Sequence, residues 1–318
     1  METADPAGFR HEAFTYRDDE QYLRGTAGYV REGLAAQEAV LVAAVAPRVR
    51  LLREELGAQA ADVEFADLSE VGRNPGRIVP LWQDWIERNA GSARGLRGVC
   101  EPPLAGRDED GLRECRLHEQ LLNTAFGRGR AWSLLCLYDA GRLAADVVDG
   151  ARHSHPLVFE DGVRLPNAAY RHSEADVRAM FGAPLPEPDA ADVVAAFGFD
   201  FGTIDRVRAA VREFAPELGL DSAGVLDLAL VASELAANSV RHGGGSGVFR
   251  LWRQGPHAVC EARDLGLITD PLVGLRRPDF RKNAGGAGLW TVHQLCDLVC
   301  IRSGVEQGTV VRAHFAAG

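Results

Sequence analysis

The sequence predicts two domains of different class, an α/β domain with a mainly parallel sheet followed by an α+β domain, and three observations carry that reading. The chain has 318 residues, where a domain takes roughly 100–200. Up to about residue 155, short apolar runs alternate with helical patterns, the rhythm of parallel strands joined by crossover helices. Beyond residue 192, two long helical patterns come first and strand-like runs follow, which places helices on one face of an antiparallel sheet.

In the first half, the runs at 41–45 (LVAAV), 63–68 (VEFADL), 96–100 (LRGVC) and 132–138 (WSLLCLY) read as strands because they are short and apolar. Helical periodicity fills 19–35, 48–56, 78–89 and 111–126, and Trp82 and Trp85, three apart in the third of these, read as core. From 159 to 191 the pattern lapses. Pro166, Pro184, Pro186 and Pro188 punctuate a stretch with one short helix at 173–181, opened by Ser173 as a cap and Asp176 in the first turn. This segment is expected to link a first domain at 10–158 to a second at 192–318. The second opens with an alternating run at 193–201, then helices at 204–218 and 222–241 and strands at 247–254 and 258–264. A helix near 289–296 and strands at 298–303 and 309–315 complete it, and no internal repeat is visible.

Composition narrows the function classes. With 46% hydrophobic and 25% charged residues the chain is ordinary globular material and not a disordered one. A net charge of −10 gives no general attraction to phosphate backbones, so no direct nucleic-acid partner is expected. The longest strongly apolar run, 39–47, falls short of the ~20 residues that span a bilayer, so no membrane partner is expected either. The first residues carry acids and a proline where a signal peptide shows basic and then apolar residues, and the expected location is cytoplasmic. Cys100, Cys115, Cys136, Cys260, Cys296 and Cys300 form no CxxC pair and are expected to be buried thiols. Cys115 and His118 share a helix face, with His153 and His155 downstream. Their spacing matches no standard zinc pattern, so no metal is assigned to the first half.

The second half carries the chemistry. Apolar residues recur at Leu228, Val231, Leu235 and Val240, one stripe of a buried helix, and Glu234 and Asn238 stand four apart on one face of it. A carboxylate and a carboxamide so placed suit a hydrated magnesium ion and a hydroxyl to be deprotonated; the plainer alternative is a solvated helix face. Downstream, Asp264-Leu265-Gly266 follows a strand, Gly285-Gly286-Ala287-Gly288-Leu289-Trp290 opens a helix, and Gly308-Thr309 enters the last strand. An Asp at a strand end can accept a hydrogen bond from an exocyclic amine, and glycines at a helix start let backbone N–H groups approach phosphates.

With these boxes in order, the run 234–242 (ELAANSVRH) resembles the N box of the GHKL ATPases, in the version of the anti-sigma serine/threonine kinases of the RsbW and SpoIIAB type. The resemblance implies a Bergerat-fold domain using ATP and Mg2+. In it Glu234 is the general base, Asn238 the magnesium ligand, and Asp264 the adenine-recognising acid with Gly266 beside it. Gly286 and Gly288 are the phosphate-side glycines, and Thr309 supports the adenine end. One position departs from the family: Ile268 stands where the usual DxGxG box has its second glycine, and a branched side chain there would narrow the adenine pocket or resist a positive φ. No dimerisation helix with an acceptor histidine precedes this segment, which sets the chain apart from sensor histidine kinases.

In the first half, His11-Glu12 with Tyr16, the run 119–126 (EQLLNTAF), the strand end 136–139 (CLYD) and His155-Pro156 resemble the MEDS sensory domain. That implies a degenerate RecA-like fold, here without the GxxxxGK[ST] loop of P-loop chemistry. Together the two resemblances imply an RsbA-like actinobacterial anti-sigma regulatory factor. Its sensory domain would control a domain that binds a sigma factor, phosphorylates an anti-sigma antagonist on Ser/Thr, or both. The alternative is a non-catalytic docking module with a degenerate nucleotide site. The implied partners are a sigma factor, an antagonist protein and, as a homodimer, a second copy of the chain.

Overall fold

The structure, a computed structural model, describes residues 8–91, 94–102, 105–278 and 287–317. The chain divides into two units, Met1–Glu174 and Ala175–Gly318. In the first, β1 (Phe9–Tyr16), α1 (Asp19–Ala35), β2 (Ala39–Ala44), α2 (Ala46–Leu56), β3 (Glu64–Asp67), α3 (Leu68–Val71) and α4 (Ile78–Arg88) are followed by β4 (Leu96–Cys100), α5 (Glu109–Phe126), β5 (Trp132–Asp139), α6 (Ala145–Ser154), β6 (Leu157–Glu160) and β7 (Val163–Pro166). One sheet runs β3-β2-β4-β5-β1-β6-β7, parallel except for β7, which lies antiparallel to β6. Local signals start the long helices: Asp18 accepts from the Gln21 amide and Asp108 from the Gly111 amide, each at 2.8 Å. The core joins Tyr16, Tyr22 and Tyr29 to Val42, Val99 and Leu135. Trp82 and Trp85 are buried edge to face, with ring centroids 5.9 Å apart.

Several elements differ from the sequence reading: α6 and β6 were not read, and two further cases have a clear physical reason. Strand β1 went unread because buried His11 and Glu12 interrupt its apolar pattern, yet it pairs in the sheet interior with β5 and β6. Residues 163–166, expected within a linker, form the edge strand β7. Arg164 fastens it by pairing with buried Glu12 at 3.0 Å and with Glu32 at 2.8 Å.

From the second residue of α7 (Glu174–Gly182) onward, the second unit holds β8 (Val193–Asp200), α8 (Asp205–Phe214), α9 (Ser222–His242), β9 (Ser246–Gln254), β10 (His257–Asp264), α10 (Ala287–Leu295), β11 (Leu298–Gly304) and β12 (Gly308–Ala316). Its sheet, β11-β12-β10-β9-β8, is antiparallel throughout. By length and composition alone, α9 is the one described helix long and apolar enough to cross a membrane. Here it lies against β9, β10 and β12, burying Leu228, Val231, Leu235 and Ala236. The opposite face of the sheet carries an ionic cluster. Glu261, fully buried, pairs with Arg250 at 2.5 Å, Arg263 at 2.7 Å and Arg312 at 2.8 Å.

Burial alone would raise the Glu261 carboxyl pKa, but the guanidiniums, Arg312 foremost, hold it below its ordinary 4.5. Replacing it by Gln leaves the buried Arg312 and the half-buried Arg250 and Arg263 around a neutral amide. Glu261→Gln is therefore expected to cost about 3–5 kcal/mol at pH 7, read by hydrogen exchange of the β9–β12 amides. A depressed folded pKa contributes stability that is complete above the unfolded value and is lost as pH falls through the folded one. The gap between wild type and variant should therefore narrow below pH 4.5.

Candidate functional site

The second unit's cleft is assembled where one helix end, one helix start and two strand ends meet. Asp221 accepts from the Gly224 amide at 2.8 Å and starts α9, whose apolar stripe seats it on the sheet. That seating leaves Glu234 and Asn238, one turn apart, half-buried at its edge. The first turn of α10 passes beside them at Gly288. A Cβ there would stand 2.8 Å from Glu234 Oε2 and 3.4 and 3.6 Å from the Asn238 amide atoms. The Asn238 amide nitrogen is buried and has no hydrogen-bond partner among the described residues.

At the far end, Asp264 closes β10 with both oxygens engaged. Ser239 donates its hydroxyl to Oδ2 at 2.6 Å, and the Gly266 amide donates to Oδ1 at 2.8 Å. A chain of hydroxyls shapes the loop that follows. Thr309 donates to the Gly266 carbonyl at 2.9 Å, so its own proton is used and Ser303 must donate to it at 2.8 Å. The Ser303 oxygen in turn accepts the Ile268 amide at 2.8 Å. Ile268 is not among the residues with positive φ, so this position has no conformational need for glycine. Its side chain helps line a cleft of about 460 Å³, together with Asn238, His242, Asp264, Leu289 and Thr309. A void of that size lies within the ~300–1,000 Å³ of small-molecule sites.

Asn238, Asp264, Gly266, Gly288 and Thr309 thus border one cleft, with the Glu234 carboxylate beside Gly288. Gly286 lies outside the described residues. Sequence reasoning missed Ser239 and Ser303. Ser239 carried a usable signal, a hydroxyl directly after Asn238 on the helix side that turns toward the sheet.

In the first unit Cys115, His118 and His153, grouped with His155 by sequence, do not converge on it. His153 is exposed, whereas Cys115 and His118 are buried, the thiol pushed up to about 12 and the imidazole down to about 4 by burial. His155 meets different partners, His11, Glu119 and Cys136. Burial pushes His11 and His155 each down to about 3, which leaves both rings neutral at pH 7.

Residues 10–156 match the MEDS family model, described as the methanogen/methylotroph, DcmR sensory domain, and residues 199–315 match the histidine kinase-like ATPase domain. The chain joins these two domains. Among solved structures, the RsbU and RsbW domains of Rv1364c from Mycobacterium tuberculosis are similar at 21% identity and a TM-score of 0.29, over 39% of this chain and 32% of that one. The matched part is thus about a third of that neighbour's length. No curated protein matches the chain.

Close packing around Asp264 gives a test of this geometry. Gly243 has an ordinary φ of −95, but a Cβ there would overlap the Asp264 carboxyl. Gly243→Ala is expected to displace that side chain and destabilise the second unit by about 1–3 kcal/mol, as overpacked sites do, measured as a shift in urea unfolding.

Proposed function

We propose that the chain is a cytoplasmic anti-sigma regulator whose second unit binds Mg-ATP and phosphorylates a serine or threonine of an antagonist protein, binds a sigma factor, or both, under control of the MEDS unit. The observation that carries this reading is the pairing of two ends in one cleft. Glu234 and Asn238 meet a helix start at Gly288, and Asp264 stands opposite with its oxygens oriented by Ser239 and Gly266. The residues fit the nucleotide on two counts: a buried Asn238 amide without a partner among the described residues, and a gap at Gly288 that a side chain would fill.

Each residue then has a task. When bound, ATP with its magnesium supplies a transferable phosphoryl group. Asn238 would hold the ion through its carboxamide oxygen, the amide being free to present either end. Asp264 would accept a hydrogen bond from the exocyclic amine of adenine. Gly266 and Gly288, with Gly286, would allow close approach of backbone to nucleotide, and Thr309 keeps the Gly266 carbonyl in place. Glu234 would take the proton from the attacking hydroxyl. Charge added to the antagonist would then weaken its contact with the regulator. A second reading, a docking module without turnover, is favoured by Ile268, which puts a branched side chain in the cleft wall.

Thermal melts of the full chain with Mg-ATP test the binding half, since ligand at 100 Kd should add ~2.7 kcal/mol. No stabilisation would overturn the nucleotide reading. Glu234→Gln is expected to keep that stabilisation and lose phosphoryl transfer to the antagonist, while Asn238→Ala loses its magnesium-dependent part. Ile268→Gly separates the two readings. If it creates ATP binding that wild type lacks, the docking reading holds; if wild type already binds and the variant binds no tighter, the kinase reading gains.

A further inference from the structure

We propose that His11, Glu119, Cys136 and His155 in the first unit form a binding site for one divalent transition-metal ion of the zinc class. The four come from separate elements. His11 lies on β1, Cys136 on the neighbouring β5, Glu119 on α5, and His155 between α6 and β6. All are buried, and their donor atoms lie within 4.8 Å of one another.

Hydrogen bonds outside the cluster fix which atoms face inward. The His155 Nδ1 lies 2.7 Å from the Ala151 carbonyl, which can only accept, so Nδ1 carries the proton and Nε2 presents a lone pair. Asn123 donates its amide nitrogen to the Ser154 carbonyl at 2.7 Å, which turns its oxygen toward His11 Nδ1 at 3.1 Å. His11 is thereby held in the same tautomer, with its Nε2 also directed inward. Outer partners of this kind orient histidine ligands in metal sites.

The centre that results is rich in electron pairs and poor in cations. Glu119 Oε2 lies 3.3 Å from His11 Nε2 and 3.4 Å from His155 Nε2, and His11 Nε2 lies 3.3 Å from Cys136 Sγ. Neither Glu119 Oε2 nor His155 Nε2 makes a hydrogen bond of acceptable geometry among the described residues. The ion-pair partners of Glu119 there are the two histidines alone. Separations of this size are long for N–H···O bonds but equal the edges of a tetrahedron with metal–ligand bonds of 2.0–2.3 Å, about 3.3–3.8 Å. Charge agrees with geometry. A divalent cation with one thiolate, one carboxylate and two neutral imidazoles sums to zero, the least costly total for a buried site. On binding, Cys136 gives its thiol proton to solvent. A small cavity of about 20 Å³, lined by Glu119, Cys115, Tyr138 and Ser154, reaches the cluster and has room for about one water.

The rival arrangement holds protons in place of the metal, one from the Glu119 acid to His155 and one from the Cys136 thiol to His11. The full chain, stripped with a chelator and confirmed folded by circular dichroism, separates the two when titrated with Zn2+ and Co2+. Expected are one equivalent bound per chain, a tetrahedral cobalt spectrum with a thiolate charge-transfer band, and a higher melting temperature. His155→Ala and Cys136→Ser should lose the binding, and Asn123→Ala should weaken it about 10–100-fold. Folded wild type that takes up no stoichiometric metal overturns the proposal, as does undiminished uptake by folded His155→Ala and Cys136→Ser. Should those variants not fold, the stoichiometry and spectrum of wild type decide.

Discussion

The Asp264 carboxylate, held through one oxygen by the Ser239 hydroxyl and through the other by the Gly266 amide, fastens the end of α9 to the end of β10. Three glycines make the junction close enough to form. Side chains at Gly243 and Gly266 would strike the carboxylate, and one at Gly308, where β12 begins, would strike the Asp264 carbonyl. The Leu265 amide adds a bond back to the Gly243 carbonyl at 3.2 Å. A polar group fixed this way before any ligand arrives needs no reorganisation on binding, which is how preorganised sites gain their selectivity. The cleft's shape is therefore a property of the fold's joints and does not depend on loop rearrangement at this end.

The sheet beneath the cleft separates two kinds of polar burial. On one side Asp264 and Thr309 are polar yet border open space. On the other, Glu261 and Arg312 are enclosed, while the half-buried Arg250 and Arg263 reach outward to Glu187 at 2.6 and 2.5 Å. Residues two apart on a strand share a face, so the alternation along β10 assigns Ala262 and Asp264 to the cleft and Glu261 and Arg263 to the ionic cluster. A one-residue slip of β10 would exchange the two sets, and the cost of burying an unpaired Glu or Arg on the wrong side fixes the register.

What the sequence disclosed, it disclosed through short-range constraint. The spacing of Glu234 and Asn238, the Asp264-Leu265-Gly266 turn and the glycine at 288 follow from helix periodicity and turn chemistry, and the elements bearing them lie where the periodicity put them. Contacts across long separations were not legible. Ser239 meets Asp264 from 25 residues away and Arg312 meets Glu261 from 51. In the first unit, His11, Glu119, Cys136 and His155 all stood among the residues that carry the resemblance, but their meeting was not legible, because only the parallel sheet brings β1 beside β5 and β6. Of the two effects expected of Ile268, narrowing the pocket or resisting a positive φ, the second does not arise, since the residue has no positive φ and its amide is held by the Ser303 hydroxyl.

The position of β1 bears on how the chain is made. It leads the first unit in sequence but sits inside the sheet between β5 and β6, and its partners on β5 lie 123 residues further on. At about 5–20 residues per second, a nascent chain holds β1 without its neighbours for roughly 6–25 s. Within that interval β2, β3 and β4 are made in turn and can pair among themselves, while the segment carrying Phe9, Phe14 and Tyr16 waits. Its buried polar pair, His11 and Glu12, makes the segment a poorer template for unwanted strand pairing than a purely apolar run would be. The same residues that hid β1 from a pattern reading thus protect it on the ribosome.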